Sequence, residues 1–265
     1  MNYLNKKQEF ISYCLSNENI YNNLLLPKLY YNLNNEAILI ELRLLPHLSF
    51  IIKNAIYHLG YKWSYTIVCG LLNYDFIKNI VDKLNRNIRI IKMDKNNMTR
   101  LEYSVMLLHS SFWEQFTGNK LLIYQEDSII FKKFNNLFFN YDYIGAPFYN
   151  KDIGNGGFSF RDKNIMIYIC KRFFDKHKNN MKKIRIFLKD KDLKEYKYHI
   201  IEKRIIEDLQ ITNMMRQFNI GRLPSFELAK SFSIEKYFNS DSFGGHQIWY
   251  CIKDINKFLD YKFKK

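Results

Sequence analysis

From about residue 36 the apolar positions fall into two alternating kinds of block. Short continuous apolar runs occur at AILIELR (Ala37–Arg43), YTIVCG (Tyr65–Gly70), NIRIIKM (Asn87–Met93) and KLLIY (Lys120–Tyr124). Such runs read as strands buried on both faces. Between them, apolar residues recur at helical spacing. Leu48, Ile51, Ile52, Ala55, Ile56 and Leu59 form the first set, bracketed by Pro46 and Gly60. Tyr74 to Leu84 and Thr99 to about Gln115 form the next two. This β-α-β-α-β-α-β order with short connections predicts an α/β fold. Its sheet should be doubly wound, mostly parallel and Rossmann-like, flanked by helices through right-handed crossovers.

After the fourth strand the pattern changes. YDYIGAPF (Tyr141–Phe148) and GNGGFSFR (Gly154–Arg161) are short β-type segments with turn glycines, followed by a helix over Asn164 to Phe174. Residues 175–203 are basic and loosely patterned, as in a surface excursion, and Ile205 to Phe218 is again helical. LPSFELAKSFSIEKYFNSDSFGGHQIWY reads as aromatic-rich irregular structure, and residues 253–265 as a basic tail. Residues 1–35 are polar and Asn-rich, with an apolar cluster at Leu24–Leu26 before Pro27, and read as a helical arm or appendage. The organisation expected is one domain over 36–252 with short additions at each end.

Composition narrows the picture. With 265 residues, 47% hydrophobic and 17% aromatic, the chain can bury a sizeable core. The formal net charge is +15, from 41 Lys+Arg against 26 Asp+Glu. That excess suits polyanions, membrane surfaces or phosphorylated small molecules, or simply a solvated surface. A non-enzymatic nucleic-acid-binding protein is therefore one alternative, although the chain carries no RRM signature, helix-turn-helix or zinc-ligand spacing. Cys14, Cys69, Cys170 and Cys251 are far apart, without CxxC pairing, and read as separate thiols in a reducing compartment. The opening MNYLNKKQEF has no apolar signal core, and no apolar run approaches the ~18 residues of a membrane span. The expectation is a cytoplasmic protein.

Four constellations carry candidate chemistry. In LLIYQEDSIIF, Glu126 and Asp127 sit just beyond the carboxyl end of the fourth strand, the edge where open α/β sheets bind ligands. Arg43 opens onto the same edge. Adjacent residues of an extended chain point opposite ways, so these acids are either a capped turn or a pair of which one faces a crevice and binds a hard divalent cation. In GNGGFSFR, glycines around Asn155 permit either a tight hairpin or close approach of backbone to a ligand. It is neither a P-loop nor GxGxxG. Glu207 and Asp208 are either the polar face of a helix or hold a general base. His246, after two glycines in SFGGHQIW, is either a structural histidine or a metal ligand.

Taken in order, six pieces resemble a known family. They are AILIELRLLPHLSFIIKNAIYHLG, GNKLLIYQEDSIIF, YDYIGAPF, GNGGFSFRDKNIM, IIEDLQI and SFGGHQIWY. The family is the uncharacterised glycosyltransferase-like domains grouped with GT-A nucleotide-sugar transferases, and the likeness spans about residues 36 to 250. It implies a GT-A-like sheet and transfer of a sugar from a nucleotide-diphosphate donor, UDP-linked by preference, to an acceptor hydroxyl of a glycan, protein or small molecule. It further implies Mn²⁺ or Mg²⁺ held by Asp127 with a late His, here His246, and Glu126 as an assisting acid or ribose contact. Arg43 would help offset diphosphate charge, Asn155 would hydrogen-bond the substrate, and Gly156 and Gly157 would give it close access. Asp208, or alternatively Glu207, takes the position of an inverting enzyme's base. Gln125 replaces the first Asp of a full DxD, which leaves fewer carboxylates for a metal. It also keeps in view a degenerate fold that binds sugars without turnover.

Overall fold

The computed structural model describes residues 3–21, 30, 33–84, 87–149, 152–176 and 206–264. Four parallel strands, β1 (Asn35–Ile40), β2 (Trp63–Cys69), β3 (Arg89–Lys92) and β4 (Lys120–Tyr124), lie in the order β3-β2-β1-β4. Beyond β4 the sheet continues with β7 (Ser159–Asp162), antiparallel to β4. On its far side lies β6 (Tyr143–Gly145), antiparallel to β7. The result is a mixed α/β protein whose six-stranded sheet is mostly parallel.

Successive residues of β1 alternate between two cores. Ala37 and Leu39 face α2 (Leu48–Leu59) and α3 (Tyr74–Leu84). Ile38 and Ile40 face α4 (Arg100–Leu107), α5 (Ser110–Glu114), α6 (Lys163–Lys176) and α7 (Glu207–Phe218). All four β1 side chains are buried. That two-sided burial is why the run shows no polar alternation.

Several boundaries shift from the expectation. The first strand ends at Ile40; the Glu41 N–H still bonds the Val68 carbonyl of β2, and the chain bends at Arg43. The helix expected over Thr99 to Gln115 is two helices. His109 takes an extended conformation between them and accepts the Ser111 N–H through its ring, capping the second. The capping box of α4, Thr99 with Glu102, is complete.

The largest difference lies in the stretch read as irregular. Ser225 caps a short helix, α8 (Phe226–Phe232), and a second sheet joins β5 (Ser128–Ile130), β9 (Gly244–His246) and β8 (Ser233–Ile234). A Gly-Gly-His strand has no β-forming side chain to announce it. It forms because the neighbours demand bare backbone. A Cβ on Gly244 would lie 2.7 Å from both the Ile129 carbonyl oxygen and the Phe158 ring, and one on Gly245 would meet Ile248 at 2.4 Å. Phe158 stacks in turn with Phe232 and Phe243.

The segments read as arm and tail meet each other. α1 (Tyr3–Ser16) buries Phe10, Tyr13 and Cys14 in the larger core and packs against α9 (Ile255–Phe263). Asp254 caps α9 by accepting the Lys257 N–H, and Ile255 and Leu259 are buried. Leu24–Leu26, Ile205 and the basic stretch beyond the end of α6 lie outside the described residues. No helix among the described residues is long and apolar enough to cross a membrane, and all four cysteines are free thiols.

Candidate functional site

β1 and β4 are parallel neighbours, with Leu39 beside Tyr124. Their carboxyl ends therefore bring Glu41 to Arg43 and Gln125 to Asp127 to one edge of the sheet, where the chain reverses its winding direction. A cleft of about 690 Å³ opens there. All nine residues singled out from the sequence line it, from Arg43 on β1's edge to His246 on β9.

The two adjacent acids sit in a turn between β4 and β5, closed by the Ser128 N–H on the Gln125 carbonyl, and they point apart. Glu126 is buried and turns towards α1 and α2. It accepts from Lys7 Nζ at 2.6 Å, Arg43 Nη2 at 3.2 Å and His47 Nε2 at 3.0 Å. Burial alone would raise its pKa, yet His47 and Lys7 hold it below the ordinary value against the neighbouring Asp127 charge. Arg43 also grips Glu41, Nε to Oε1 at 2.8 Å and Nη2 to Oε2 at 2.6 Å, and leaves nearly half its side chain open to the cleft. Both oxygens of Glu126 are thus committed to tying α1 and α2 to the end of β1. Glu126 thereby shapes the site while still lining the cleft.

Asp127 faces the other way, towards β9. The pairing of Ser128 with His246 across β5 and β9 places His246 Nε2 3.3 Å from Asp127 Oδ1. Gln247, in a left-handed conformation with φ 48°, directs its amide back to donate to Asp127 Oδ2 at 2.9 Å. On its other ring nitrogen His246 faces Glu235 Oε2 at 3.2 Å. Burial pushes the His246 pKa down, but Asp127 and then Glu235 outweigh it and hold it up at about 10. Asp127 is correspondingly held well below the carboxylate range: the His246 charge and the hydrogen bonds outweigh burial.

An imidazolium pinned between two carboxylates has a pH signature. Its folded pKa lies above the unfolded value of ~6.5, so its contribution to stability is complete below that pH and is lost as pH rises through about 10. In chelator-treated protein, the His246 ring resonances should still report the cation at pH 8. A titration midpoint near 6.5 would show that the clamp is not formed.

The same pair bears on metal binding. Among the described residues no group of three His, Cys, Asp or Glu side chains is placed to hold a metal. Asp127 Oδ1 and His246 Nε2 are nevertheless both buried without a well-aligned hydrogen-bond partner. A carboxylate oxygen and an imidazole nitrogen suit Mn²⁺ or Mg²⁺ as half a shell, with water and a diphosphate completing it. Binding there would displace the proton that the pair now shares.

Behind Glu207 and Asp208 lies Arg161, which is fully buried on β7. Its guanidinium bonds Glu207 Oε1, donates to Ser159 Oγ at 2.8 Å, and lies 4.7 Å from the Tyr143 ring centre and 5.2 Å from that of Trp113. Burial pushes the Glu207 pKa up to about 6 against the pull of Arg161. Glu207 therefore belongs to an internal ion pair. Asp208, beside it in the first turn of α7, is only partly buried; its carboxylate accepts the Gly156 N–H at 2.9 Å and the Leu209 N–H at 2.8 Å. Burial raises its pKa above the usual aspartate value, and those two donors oppose the rise.

The family model described as "Protein of unknown function (DUF5672)" matches residues 87–246, more than half of the chain. The chain belongs to the DUF5672 family. No curated protein matches it. In this DUF5672 chain the matched segment carries Asp127, Asn155, Gly156, Gly157, Glu207 and Asp208 and ends on His246, whereas Lys7, Arg43 and His47 precede it.

The two glycines of the DUF5672 site are tightly surrounded. A Cβ on Gly157 would lie 2.3 Å from His246 Nε2, and one on Gly156 would lie 2.9 Å from both Arg161 Nη2 and Glu207 Oε2. The room a Cβ would need is taken by protein side chains at both positions, and both glycines line the cleft. Gly157→Ala should push His246 off Asp127 and cost about 1–3 kcal/mol, as overpacking does. A denaturant titration checks this, and an unchanged midpoint would mean the ring yields freely. Asn155 keeps its place at the cleft, with its side-chain oxygen accepting the Gly157 N–H at 3.0 Å.

Sequence reading missed Lys7, Glu235 and Arg161. Lys7 and Glu126 are 119 positions apart, with no local signal linking them. Arg161 did leave one. It closes GNGGFSFR two residues after Ser159, on the same side of a strand whose neighbours are phenylalanines.

Proposed function

We propose that this cleft transfers a glycosyl group from a nucleotide-diphosphate sugar to an acceptor hydroxyl, on a sheet of GT-A-like arrangement. The observation that carries the reading is the convergence of two kinds of group on one cleft at the strands' carboxyl ends. Asp127 Oδ1 and His246 Nε2 are buried there without a well-aligned hydrogen bond. Asp208 lines the same cleft, held by backbone donors in the first turn of α7. The parallel sheet with antiparallel β7 beside β4 is compatible with the GT-A-like arrangement.

The residues divide the work by their chemistry. Asp127 and His246 would hold a divalent cation, which when bound supplies positive charge to a departing diphosphate. Arg43 adds fixed positive charge at the cleft and is kept rigid by Glu41 and Glu126. Asp208 accepts the proton of the attacking hydroxyl, since a carboxylate with a raised pKa is a better base than an ordinary aspartate. Arg161 keeps Glu207 out of that role by pairing with it. Many of the aromatics that a nucleic-acid-binding alternative would use as stacking platforms, such as Phe138, Phe158, Phe160 and Phe243, are buried in the core.

The test is a thermal-shift screen of UDP- and GDP-sugars with Mn²⁺ and with chelator, followed by product analysis of any hit. A donor at 100-fold over its Kd should stabilise the fold by about 2.7 kcal/mol. A folded protein indifferent to every donor would remove the reading. A donor that binds without sugar release or transfer would identify a binding protein of the same fold.

A further inference from the structure

Three buried polar atoms of this cleft's residues lack a hydrogen-bond partner: Asp127 Oδ1, His246 Nε2 and the hydroxyl of Tyr103. The first two have each other at 3.3 Å. Tyr103 has only the Gln125 side chain beside it, without a well-aligned hydrogen bond, and leaving a buried hydroxyl poorly paired is costly unless a ligand pairs with it. Nothing in the sequence pattern distinguishes this tyrosine from the other nineteen.

Its position follows from α4. Arg100, Tyr103 and Ser104 lie at i, i+3 and i+4, so they share the helix face that lines the cleft. The start of α4 is fixed by the Thr99–Glu102 capping box, and Lys95 Nζ braces Glu102 at 2.7 Å. The phenol is therefore presented from a held helix end. Burial, and after it the Glu207 charge, raise its pKa far above neutrality, partly offset by Gln125 and Arg161, with a smaller push from Asp127. It is a neutral hydrogen-bond donor at any physiological pH. The charges it feels are those of Glu207, Arg161 and Asp127.

We propose that Tyr103 contacts the glycosyl part of the donor, giving its hydroxyl hydrogen to a hydroxyl or ring oxygen of the sugar. The inference rests on the glycosyl-transfer reading of the cleft. If the diphosphate lies at Asp127 and His246 and the acceptor hydroxyl at Asp208, the group that spans the interval is the sugar. An uncharged donor beside the Gln125 carboxamide suits a neutral polyhydroxylated ring better than a phosphate, for which Arg43 is the matched partner.

The experiment compares wild type with Tyr103→Phe, each alone, with UDP or GDP plus Mn²⁺, and with the matching nucleotide sugars plus Mn²⁺. Unliganded Tyr103→Phe should melt at or above the wild-type temperature, because no well-aligned hydrogen bond is removed. Its affinity for the nucleotide sugar should fall about tenfold while that for the free nucleotide is unchanged. A lowered melting temperature in the unliganded variant would show that the hydroxyl is used within the protein and overturns the inference. So does a nucleotide-sugar affinity equal to that of wild type. A wild-type protein that binds no nucleotide sugar overturns the functional reading itself, whatever the variant does.

Discussion

Arg161→Met should cost about 3–5 kcal/mol of folding stability, the usual result of removing one partner from a buried ion pair. The expectation comes from what remains. Glu207, itself buried, would lose the guanidinium that opposes its desolvation and would have to take up a proton. Ser159 Oγ and the Gly156 carbonyl would lose a donor as well. The guanidinium also packs against the Tyr143 and Trp113 rings, which a thioether chain can partly replace. Arg161→Met combined with Glu207→Leu should therefore recover most of the loss, because no charge is left buried without a partner. Denaturant titrations of the two variants measure both effects. A loss below about 1 kcal/mol for the single variant would show that water or another cation reaches Glu207.

Asp208→Asn should lower the rate of sugar transfer by roughly 10²–10⁴-fold while leaving donor binding in place, the range expected for removal of a general base. The substitution keeps the side chain's size, and the Asn carbonyl can still accept the Gly156 N–H that Asp208 Oδ2 accepts at 2.9 Å, while the Leu209 N–H loses its acceptor. What disappears is a carboxylate able to hold a proton. The base form of Asp208 is the ionised one, so transfer should also fall as pH drops through its raised pKa. Activity within a few fold of wild type, with donor affinity intact, would move the base elsewhere or point to a retaining reaction. Glu207→Gln is the matched comparison. Its main effect should be on stability, because its carboxylate is spoken for by Arg161.

Much of the sheet could be read from pattern because local chemistry suffices for it. KLLIY is strand β4 to the residue, and Tyr74 to Leu84 is helix α3 to the residue. Two-sided burial leaves continuous apolar runs, and one-sided burial leaves helical spacing. The candidate acids were recognisable for a related reason. Charge placed where a buried strand ends is expensive unless it is paired or used. The second sheet was not readable, because a Gly-Gly-His strand is defined by how closely Phe158, Ile129 and Ile248 approach it.

By itself, then, the sequence determined the α/β class, the succession of the first four strands along the chain and the edge at which Arg43, Glu126 and Asp127 emerge. These depend on periodicity and on the alternation of side chains along a strand, both local properties. Only the tertiary structure decided what each acid does. Glu126 and Asp127 are neighbours in sequence, yet one is spent on Lys7, Arg43 and His47 while the other meets His246 and Gln247. The same division separates Glu207, held by Arg161, from Asp208, held by the Gly156 N–H. A carboxylate's role is set by the cations and donors within about 3–4 Å of it, and those partners come from positions the chain brings together only on folding.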